Sequence, residues 1–313
     1  MQFPVSGVEV SPLVPFSVAF VVSFFTSMGG VSGAFLLLPF QVSVLGFTSP
    51  AVSATNLVYN IVAIPSGVYR YIKEGRMAWP LAWIIIAGTL PGVFIGALVR
   101  IKCLPDPRHF KMFVGCVLLY VSLRLFYGLM PWCRQYRKEA REMEDIFNRR
   151  HDGQFQAREP GSRVIVTKSF SLREYSYTFY GETFSFYTLA LFGLTFAVGI
   201  VGGAYGIGGS AIIAPFLVAV FGLPVHSIAG ATLLGTYITS IAGVIFYCLM
   251  APLFAKTGMA VAPDWALGAL FGAGGFLGMY CGARAQKFFP SVWIELILAV
   301  AIFLLSVDYI LVA

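Results

Sequence analysis

The chain has 313 residues, of which 58% are apolar and only 11% are charged, and its mean hydropathy is +0.82. A soluble globular protein has about a quarter of its residues charged, so this composition excludes one. The net charge of +7 does not indicate nucleic-acid binding, because most Lys and Arg residues lie in loops and one central stretch, as in membrane proteins.

Eight hydrophobic segments follow one another along the chain, and their lengths predict transmembrane helices. The first and fifth are too long for one straight crossing, and glycines interrupt both. We predict an all-α polytopic membrane protein in which the first segment of each half is broken or re-entrant. The segments cover residues 15–45, 50–70, 79–100, 109–132, 184–221, 226–251, 264–284 and 290–312.

The two halves of the chain resemble each other. An offset of 176 residues aligns the two halves without a gap from Phe20 and Phe196 onward. The second half then has a longer loop, after which the alignment continues at an offset of 186 residues, with Gly88 opposite Gly274. Matching glycines and prolines carry the alignment, since Leu, Val and Ala match by chance in such sequences. This pattern predicts two homologous repeats of about four segments each. The predicted domains are an N-terminal repeat (1–132), a hydrophilic linker (133–183) and a C-terminal repeat (184–313).

The linker starts with a mixed-charge run of helical type and ends in "YTFYGETFSF", which predicts a hairpin turning at Gly181-Glu182. It is too short for a catalytic domain, and it contains ten Lys and Arg residues, which predicts a cytoplasmic location. Four straight crossings in each half would make the repeats parallel. Re-entrant first segments would change the parity and allow inverted repeats, and the sequence leaves both arrangements open.

The stretch "VGGAYGIGGSAIIAPF", residues 201–216, looks like a phosphate-binding loop inside a membrane segment. It has no GK[ST] motif and no acidic residue at the ribose distance, so nucleotide binding is rejected. A membrane helix can break only where protein or water satisfies its backbone. A half-helix starting near Gly208–Ser210 would direct N–H groups and a helix dipole at an anion without any formal charge.

The first half contains a matching stretch, "SMGGVSGAFLLLPF", and two such breaks at corresponding positions are a pointer to a transporter's binding site. Close helix packing by small residues is the alternative interpretation, and it is the preferred one for the glycines that recur every four residues near Gly92 and Gly278. The candidate substrate-binding residues at the breaks are Gly30, Ser32, Gly33, Gly206, Gly208, Gly209 and Ser210.

Polar pairs follow each break. Asn56 and Asn60 are four residues apart, on one helix face, and their repeat partners are Thr232 and Thr236. Such pairs suit the oxygens of an anion, so all four are candidate ligands. Hydrogen bonding between helices is the alternative role.

Few charges fall within the hydrophobic segments. Arg124 and Asp308 lie near equivalent repeat positions, so we expect them to form a structural ion pair between the halves. His226 begins the sixth segment and could titrate in a proton-coupled cycle. These three are the gating or coupling candidates. The five cysteines have no metal-binding spacing, and no cluster of catalytic residues is available, so no metal, cofactor or enzymatic activity is expected.

The stretch "GIVGGAYGIGGSAIIAPFLVAVFGLPVHSIAGATLL", with its weaker first-half copy, resembles the signature of the sulfite exporter TauE/SafE family (toluene sulfonate uptake permease superfamily). The resemblance covers both membrane halves but not the linker. It implies a secondary transporter of the bacterial cytoplasmic (inner) membrane that moves sulfur-containing anions. The implied motif positions include Gly206, Gly208, Gly209 and Ser210, and the first copy departs by having Ser32 in place of the glycine.

The leading hypothesis is a transporter that moves sulfite or a small organosulfur anion, with export favoured by the resemblance, by alternating access between the repeats. A passive anion channel or facilitator of the same fold is the alternative. The expected partners are the anion and the lipid bilayer, with no nucleic acid, and the sequence leaves the oligomeric state, the coupling ion and the direction open.

Overall fold

The computed structural model describes residues 1–28, 32–73, 77–129, 165–171, 174–179, 182–208, 212–214, 216–217, 223, 225–285 and 291–312. Its helices are α1 (Leu13–Met28), α2 (Ala34–Ser43), α3 (Ala51–Ala63), α4 (Pro65–Lys73), α5 (Trp79–Lys102), α6 (Pro107–Leu129), α7 (Thr188–Tyr205), α8 (Val225–Phe254), α9 (Trp265–Ala285) and α10 (Ser291–Val312). Its strands are β1 (Ile165–Phe170), β2 (Glu174–Phe179) and β3 (Glu182–Tyr187).

Within these residues, five helices are long and apolar enough to cross a membrane. They confirm the prediction of a helical, multi-pass membrane protein. Helices α1 and α2 are shorter apolar helices, as expected if glycines divide the first hydrophobic segment. The five candidate spans are Ala51–Lys73, Trp79–Lys102, Thr188–Tyr205, Ile228–Thr257 and Trp265–Gly282.

Glycines bring two pairs of helices into backbone contact. A Cβ atom at Gly92 of α5 would lie 2.5 Å from the carbonyl oxygen of Phe196 in α7, and one at Gly278 of α9 would lie 2.3 Å from that of Phe20 in α1. Any larger residue would place its Cβ atom against these carbonyl oxygens, so only glycine permits such an approach. Helices in membranes commonly associate through close packing of small residues. The packing interpretation of these recurrent glycines is therefore confirmed.

The contacts also give the helix directions. Gly274 faces Phe16 and Gly282 faces Phe24, so α1 and α9 run parallel. Helix α3 is parallel to α9 as well, because Gly268 packs against Thr55 and Val58 near the start of α3, and Gly272 packs against the later residue Val62.

Since α1 and α3 run the same way, the chain must turn back between them, and α2 forms the return. Its start lies beside the middle of α3, where the Ser32 hydroxyl bonds to Asn60, and the chain then returns to the beginning of α3 at Ala51. The first hydrophobic segment is therefore divided into two helices, α1 and α2, that run in opposite directions.

The second half turns back in the same manner. Along α8, Gly235 faces Ile85 and Gly243 faces Val93, so α8 runs parallel to α5, as does α7. The chain must again return between α7 and α8, and the helical residues 212–214 and 216–217 lie in this connection. Helices α5, α7 and α8 thus run opposite to α1, α3 and α9.

Two faces of the bundle can be defined. The amino face is where α3 and α9 begin, and it carries residues 1–12 and the loops before α3, after α5 and before α9. Three contacts join these pieces: Ser6 to Asp264, Ala51 to Ala260 and Arg100 to Thr48. The linker face is the opposite side, where α5, α7 and α8 begin.

The linker ends in a three-stranded antiparallel sheet in the order β1-β2-β3. The predicted hairpin is confirmed, but Glu182 already belongs to β3 and pairs with Phe179, so it is a strand residue and not a turn residue. Strand β3 crosses the predicted boundary at residue 184 and leads directly into α7, which puts the sheet at the linker face. Tyr175 and Tyr177 of β2 are buried, and burial raises the pKa of the Tyr175 phenol.

Candidate functional site

The two helix interruptions meet at one face of α3. Ser32 and Gly33 precede α2, and Gly206 to Gly208 follow α7. Three polar residues of α3, Ser53, Asn56 and Asn60, have spacings of three and four, which place them on one helix face. All three are buried, so α3 presents a polar stripe to both interruptions inside the bundle.

Asn56 joins the two interruptions directly. Its Nδ2 atom donates to the carbonyl of Ala34 in the first turn of α2 (2.9 Å) and to the carbonyl of Gly206 after α7 (2.8 Å). Its Oδ1 atom accepts from Nε2 of Gln41 (3.2 Å). An asparagine amide has only two N–H donors, so Asn56 uses both of them to hold backbone from the two hairpins together.

Asn60 makes a second link one turn further along. Its Oδ1 atom accepts a hydrogen bond from the Ser32 hydroxyl (2.7 Å), and its Nδ2 atom donates to the carbonyl of Ile207 (3.1 Å). One amide hydrogen of Asn60 has no partner among the described residues. This donor is therefore available at the point where the two interruptions meet.

The end of α7 receives side-chain donors at four carbonyls. Helix ends leave their last carbonyls without backbone partners, and in lipid such groups must be satisfied by the protein. Here the carbonyls of Gly203 and Ala204 accept from the hydroxyls of Tyr247 (3.2 Å) and Ser53 (3.1 Å). Together with the two asparagine bonds, these contacts explain how α7 can end within the bundle.

Gly206 is required at this end for two reasons. Its φ of +79° is left-handed, a conformation that glycine adopts without strain. In addition, a Cβ atom there would lie 2.5 Å from the Cα and the carbonyl oxygen of Ser53. The glycine thus lets the end of α7 touch the backbone of α3.

Helix α8 closes the opposite side of the second interruption. Gly208 has a φ of +68°, and a Cβ atom there would lie 2.4 Å from Cγ2 of Thr236 and 3.5 Å from Oγ of Ser240. The Thr232 and Thr236 hydroxyls donate to carbonyls of their own helix. The Ser240 hydroxyl is fully buried and has no hydrogen-bond partner among the described residues, so it is a candidate donor beside Gly208.

The structure thus brings together seven of the predicted ligands: Ser32, Gly33, Asn56, Asn60, Gly206, Gly208 and Thr236. The eighth described candidate, Thr232, bonds only to carbonyls of its own helix. The backbone of Gly33 packs closely against the Tyr59 and Ser23 side chains. Gly30, Gly209 and Ser210 lie outside the described residues.

The expected ion pair between Arg124 and Asp308 is wrong, since no contact within 4 Å joins these two described side chains. Helices α6 and α10 are antiparallel, because Gly115 faces Ile310 while Phe126 contacts Phe303. Equivalent positions therefore lie at different depths, and Arg124 instead lies 5.6 Å from the Tyr127 ring. His226 begins α8, and its side chain lies outside the part described.

Sequence reasoning missed three residues. Gln41 and Ser240 are single polar residues in apolar runs and carry no pattern. Arg100, the last residue of the predicted segment 79–100, is fully buried, donates to the carbonyls of Leu104 and Thr48 and lies 3.7 Å from the centre of the Phe110 ring.

No group of three or more metal-binding side chains occurs among the residues that the structure describes. The donors at the interruptions are neutral amides and hydroxyls, which can bind and orient a small polar ligand but are poor groups for covalent catalysis.

Comparison with known proteins agrees with this arrangement. The family model described as "Sulfite exporter TauE/SafE" matches residues 15–309, from α1 to α10. No curated protein and no solved structure gives a significant match. Because the match includes both interruptions and nearly the whole chain, the protein belongs to the sulfite exporter TauE/SafE family.

Proposed function

We propose that this protein is a secondary transporter that moves sulfite or a small organosulfur anion across the bacterial cytoplasmic membrane, and that the anion binds where the two interruptions meet on α3. The observation that carries the proposal is the pair of asparagine links, Asn56 and Asn60, between the two interruptions. Family membership makes the protein a membrane transporter of sulfite or a related anion and not an enzyme.

The direction of transport is proposed as export, from the family description alone. The linker is proposed to be cytoplasmic, because the linker face has the larger number of Lys and Arg residues.

We further propose that the two halves are inverted repeats. Reciprocal packing supports this: Gly88 of α5 approaches the Phe192 carbonyl in α7, and Gly274 of α9 approaches the Phe16 carbonyl in α1. The two pairs are related by the repeat alignment: Gly88 corresponds to Gly274 at the offset of 186, and Phe16 corresponds to Phe192 at the offset of 176. The equivalent helices also run in opposite directions, as in many transporters whose site lies between such repeats.

Alternating access follows from this proposal. Each hairpin enters from its own face of the bundle, and the ends of both meet near the middle of α3. Small movements of one set of helices against the other would expose this meeting point first to the amino face and then to the linker face. The neutral donors there bind the oxygens of the anion, and Asn56 acts as a positioning residue because both of its N–H groups hold backbone.

Uptake of labelled sulfite into proteoliposomes tests the proposal. Asn60→Ala removes the available amide hydrogen and is expected to lower the rate at least tenfold, whereas Ser122→Ala in α6 removes a buried hydroxyl that bonds only its own helix and should leave it unchanged. Thermal unfolding of both variants in detergent reports whether they fold. Transport of a cation or neutral solute, with no sulfur anion carried or bound, would contradict the proposal.

The same vesicles separate a transporter from a passive channel. A transporter gives uptake that saturates with sulfite and is accelerated by sulfite on the opposite side, because the binding site must return. Flux that neither saturates nor responds to sulfite on the opposite side would favour the channel.

A further inference from the structure

The elements that form the site contain almost no ionisable charge. Between Glu9 and Arg70, a range that includes α1, α2 and α3, the sequence has no Asp, Glu, Lys, Arg or His. Between Glu182 and Lys256, which includes α7 and α8, the only such residue is His226.

The backbone of His226 belongs to the first turn of α8. It is ten positions before Thr236 on the same helix, a separation of about 15 Å along the axis at the usual rise per residue. No fixed positive side chain of these elements is therefore positioned to neutralise an anion at the interruptions.

The donors that remain available are neutral. One amide hydrogen each of Asn60 and Gln41 and the buried hydroxyl of Ser240 have no partner among the described residues. Both amide hydrogens of Asn56 and the hydroxyls of Thr232 and Thr236 already bond to backbone carbonyls. The amino end of α2 adds a partial positive charge, equivalent to about half an elementary charge. These few neutral donors, together with the partial positive charge of α2, are suited to binding a single negative charge.

The charge of the ligand decides the energetic outcome. Moving an ion out of water into a protein interior is unfavourable by several kcal/mol even after relaxation, and in the Born treatment this penalty grows with the square of the charge, about fourfold for a dianion. Neutral hydrogen bonds to a charged oxygen contribute about 1.5–3 kcal/mol each. A few such bonds can therefore offset the penalty for a monoanion but not for a dianion.

We propose that the site binds its substrate as a singly charged anion, with Ser240 and Asn60 as ligands, and therefore takes hydrogensulfite and monovalent sulfonates but excludes sulfite, sulfate and thiosulfate dianions. This inference rests on the proposed function. Sulfite gains its proton in water before binding (SO₃²⁻ + H⁺ → HSO₃⁻), so each anion carried takes one proton equivalent with it without a titrating side chain.

Ligand-dependent thermal stabilisation of the purified protein at a series of pH values tests the charge selectivity. Sulfite, sulfate and methanesulfonate are the probes, the last being a permanent monoanion. The apparent Kd for total sulfite should rise about tenfold for each pH unit above the pKa of hydrogensulfite, the slope of a single bound proton. The Kd for methanesulfonate should stay constant, and sulfate should not bind.

The opposite results have distinct meanings. A sulfite Kd that falls as the pH rises, or sulfate binding as tight as methanesulfonate binding, overturns the monoanion inference while the transporter proposal stands. Failure of every sulfur anion to bind at any pH overturns the proposed function itself.

Ser240→Ala tests the placement of the anion. The hydroxyl has no partner in the ligand-free protein, so the variant should keep its thermal stability yet bind hydrogensulfite and methanesulfonate about tenfold more weakly. Ser122→Ala, with a hydroxyl that bonds only its own helix, is the matched control and should bind both normally. Unchanged affinity in Ser240→Ala overturns its assignment as a ligand.

Discussion

At the scale of single residues, Asn56 caps the end of α7 and ties it to the first turn of α2. It supplies donors to a carbonyl in the first turn of α2 and to a carbonyl after α7, and it is fully buried. The Ala34 carbonyl also accepts from the backbone of its own helix, whereas Gly206 lies beyond the end of α7. Inside a membrane protein the Gly206 carbonyl cannot turn to bulk water, so removal of the amide leaves this buried acceptor unsatisfied.

Asn56→Ala is therefore expected to lower the free energy of unfolding by about 1–3 kcal/mol, the cost of one unsatisfied buried carbonyl. Its repeat partner Thr232 bonds only carbonyls of its own helix, so Thr232→Ala should change stability by less than about 1 kcal/mol. Thermal unfolding in detergent, followed by tryptophan fluorescence, measures both. Equal stability losses would contradict the capping role.

Arg100 is a second residue whose role depends on its surroundings. Its guanidinium bonds to Leu104 and Thr48 and lies over Phe110, so it joins the loop after α5 to the loop that follows the first hairpin. A planar group with donors on several nitrogens can make these contacts together, whereas an ammonium group cannot.

Arg100→Lys should consequently destabilise the protein, by about 1–3 kcal/mol for the lost carbonyl bonds and ring contact. Lys102→Ala, which alters an exposed cation two residues away, should have little effect. Proteolysis and thermal unfolding compare the two variants. A stable Arg100→Lys protein would show that charge alone is sufficient.

At the scale of elements, glycine determines which helices touch. The recurrent glycines of α5 allow the backbone carbonyls of α7 to approach closely, and the recurrent glycines of α9 do the same for the backbone carbonyls of α1. Each hairpin is thus packed against a full-length helix along most of its first arm.

Gly92→Ala and Gly278→Ala should each destabilise the protein by about 1–3 kcal/mol, because a Cβ atom would overlap a backbone carbonyl that cannot move aside easily. Gly193→Ala is the control, since nothing lies within 4 Å of a Cβ atom there, and it should be neutral or slightly stabilising because alanine favours helix. Thermal unfolding distinguishes them. If Gly92→Ala and Gly278→Ala both left the thermal stability unchanged, the close packing of these helices would be contradicted.

At the scale of the whole molecule, the helix directions separate the two faces. Residues 1–12 and the loop before α9 share the amino face, joined by the Ser6 bonds to Asp264. The sheet leads into α7 at the linker face. If α1 and α2 form a re-entrant hairpin, as the proposal requires, an odd number of crossings separates the amino terminus from the sheet, unlike the arrangement with four straight crossings in each half.

Cysteine labelling tests this separation. In a variant with the five native cysteines replaced by serine, Lys256→Cys on the amino face and Lys168→Cys in β1 should be labelled from opposite sides of the membrane. With a cytoplasmic linker, an impermeant maleimide labels the first in intact cells and the second only after permeabilisation. Labelling of both from one side would contradict the re-entrant hairpins.

The sequence predicted the membrane class, the positions of the interruptions and the family, because these depend on local properties. Apolar run length reports a membrane segment, and clustered glycines report a broken helix. The failed ion pair between Arg124 and Asp308 shows the limit of such reasoning. Repeat equivalence relates positions in sequence, but helix direction decides whether those positions lie at one depth.

What only the tertiary structure decided is which groups meet. Asn56 reaches Gly206 and Asn60 reaches Ile207 across about half of the chain, and both contacts depend on the return of the hairpins. The sequence identified the polar residues but left open whether they bind a ligand or other helices. Buried amides bond to any acceptor that packing brings near, so the same asparagines could be assigned to the interruptions only after the helix directions were known.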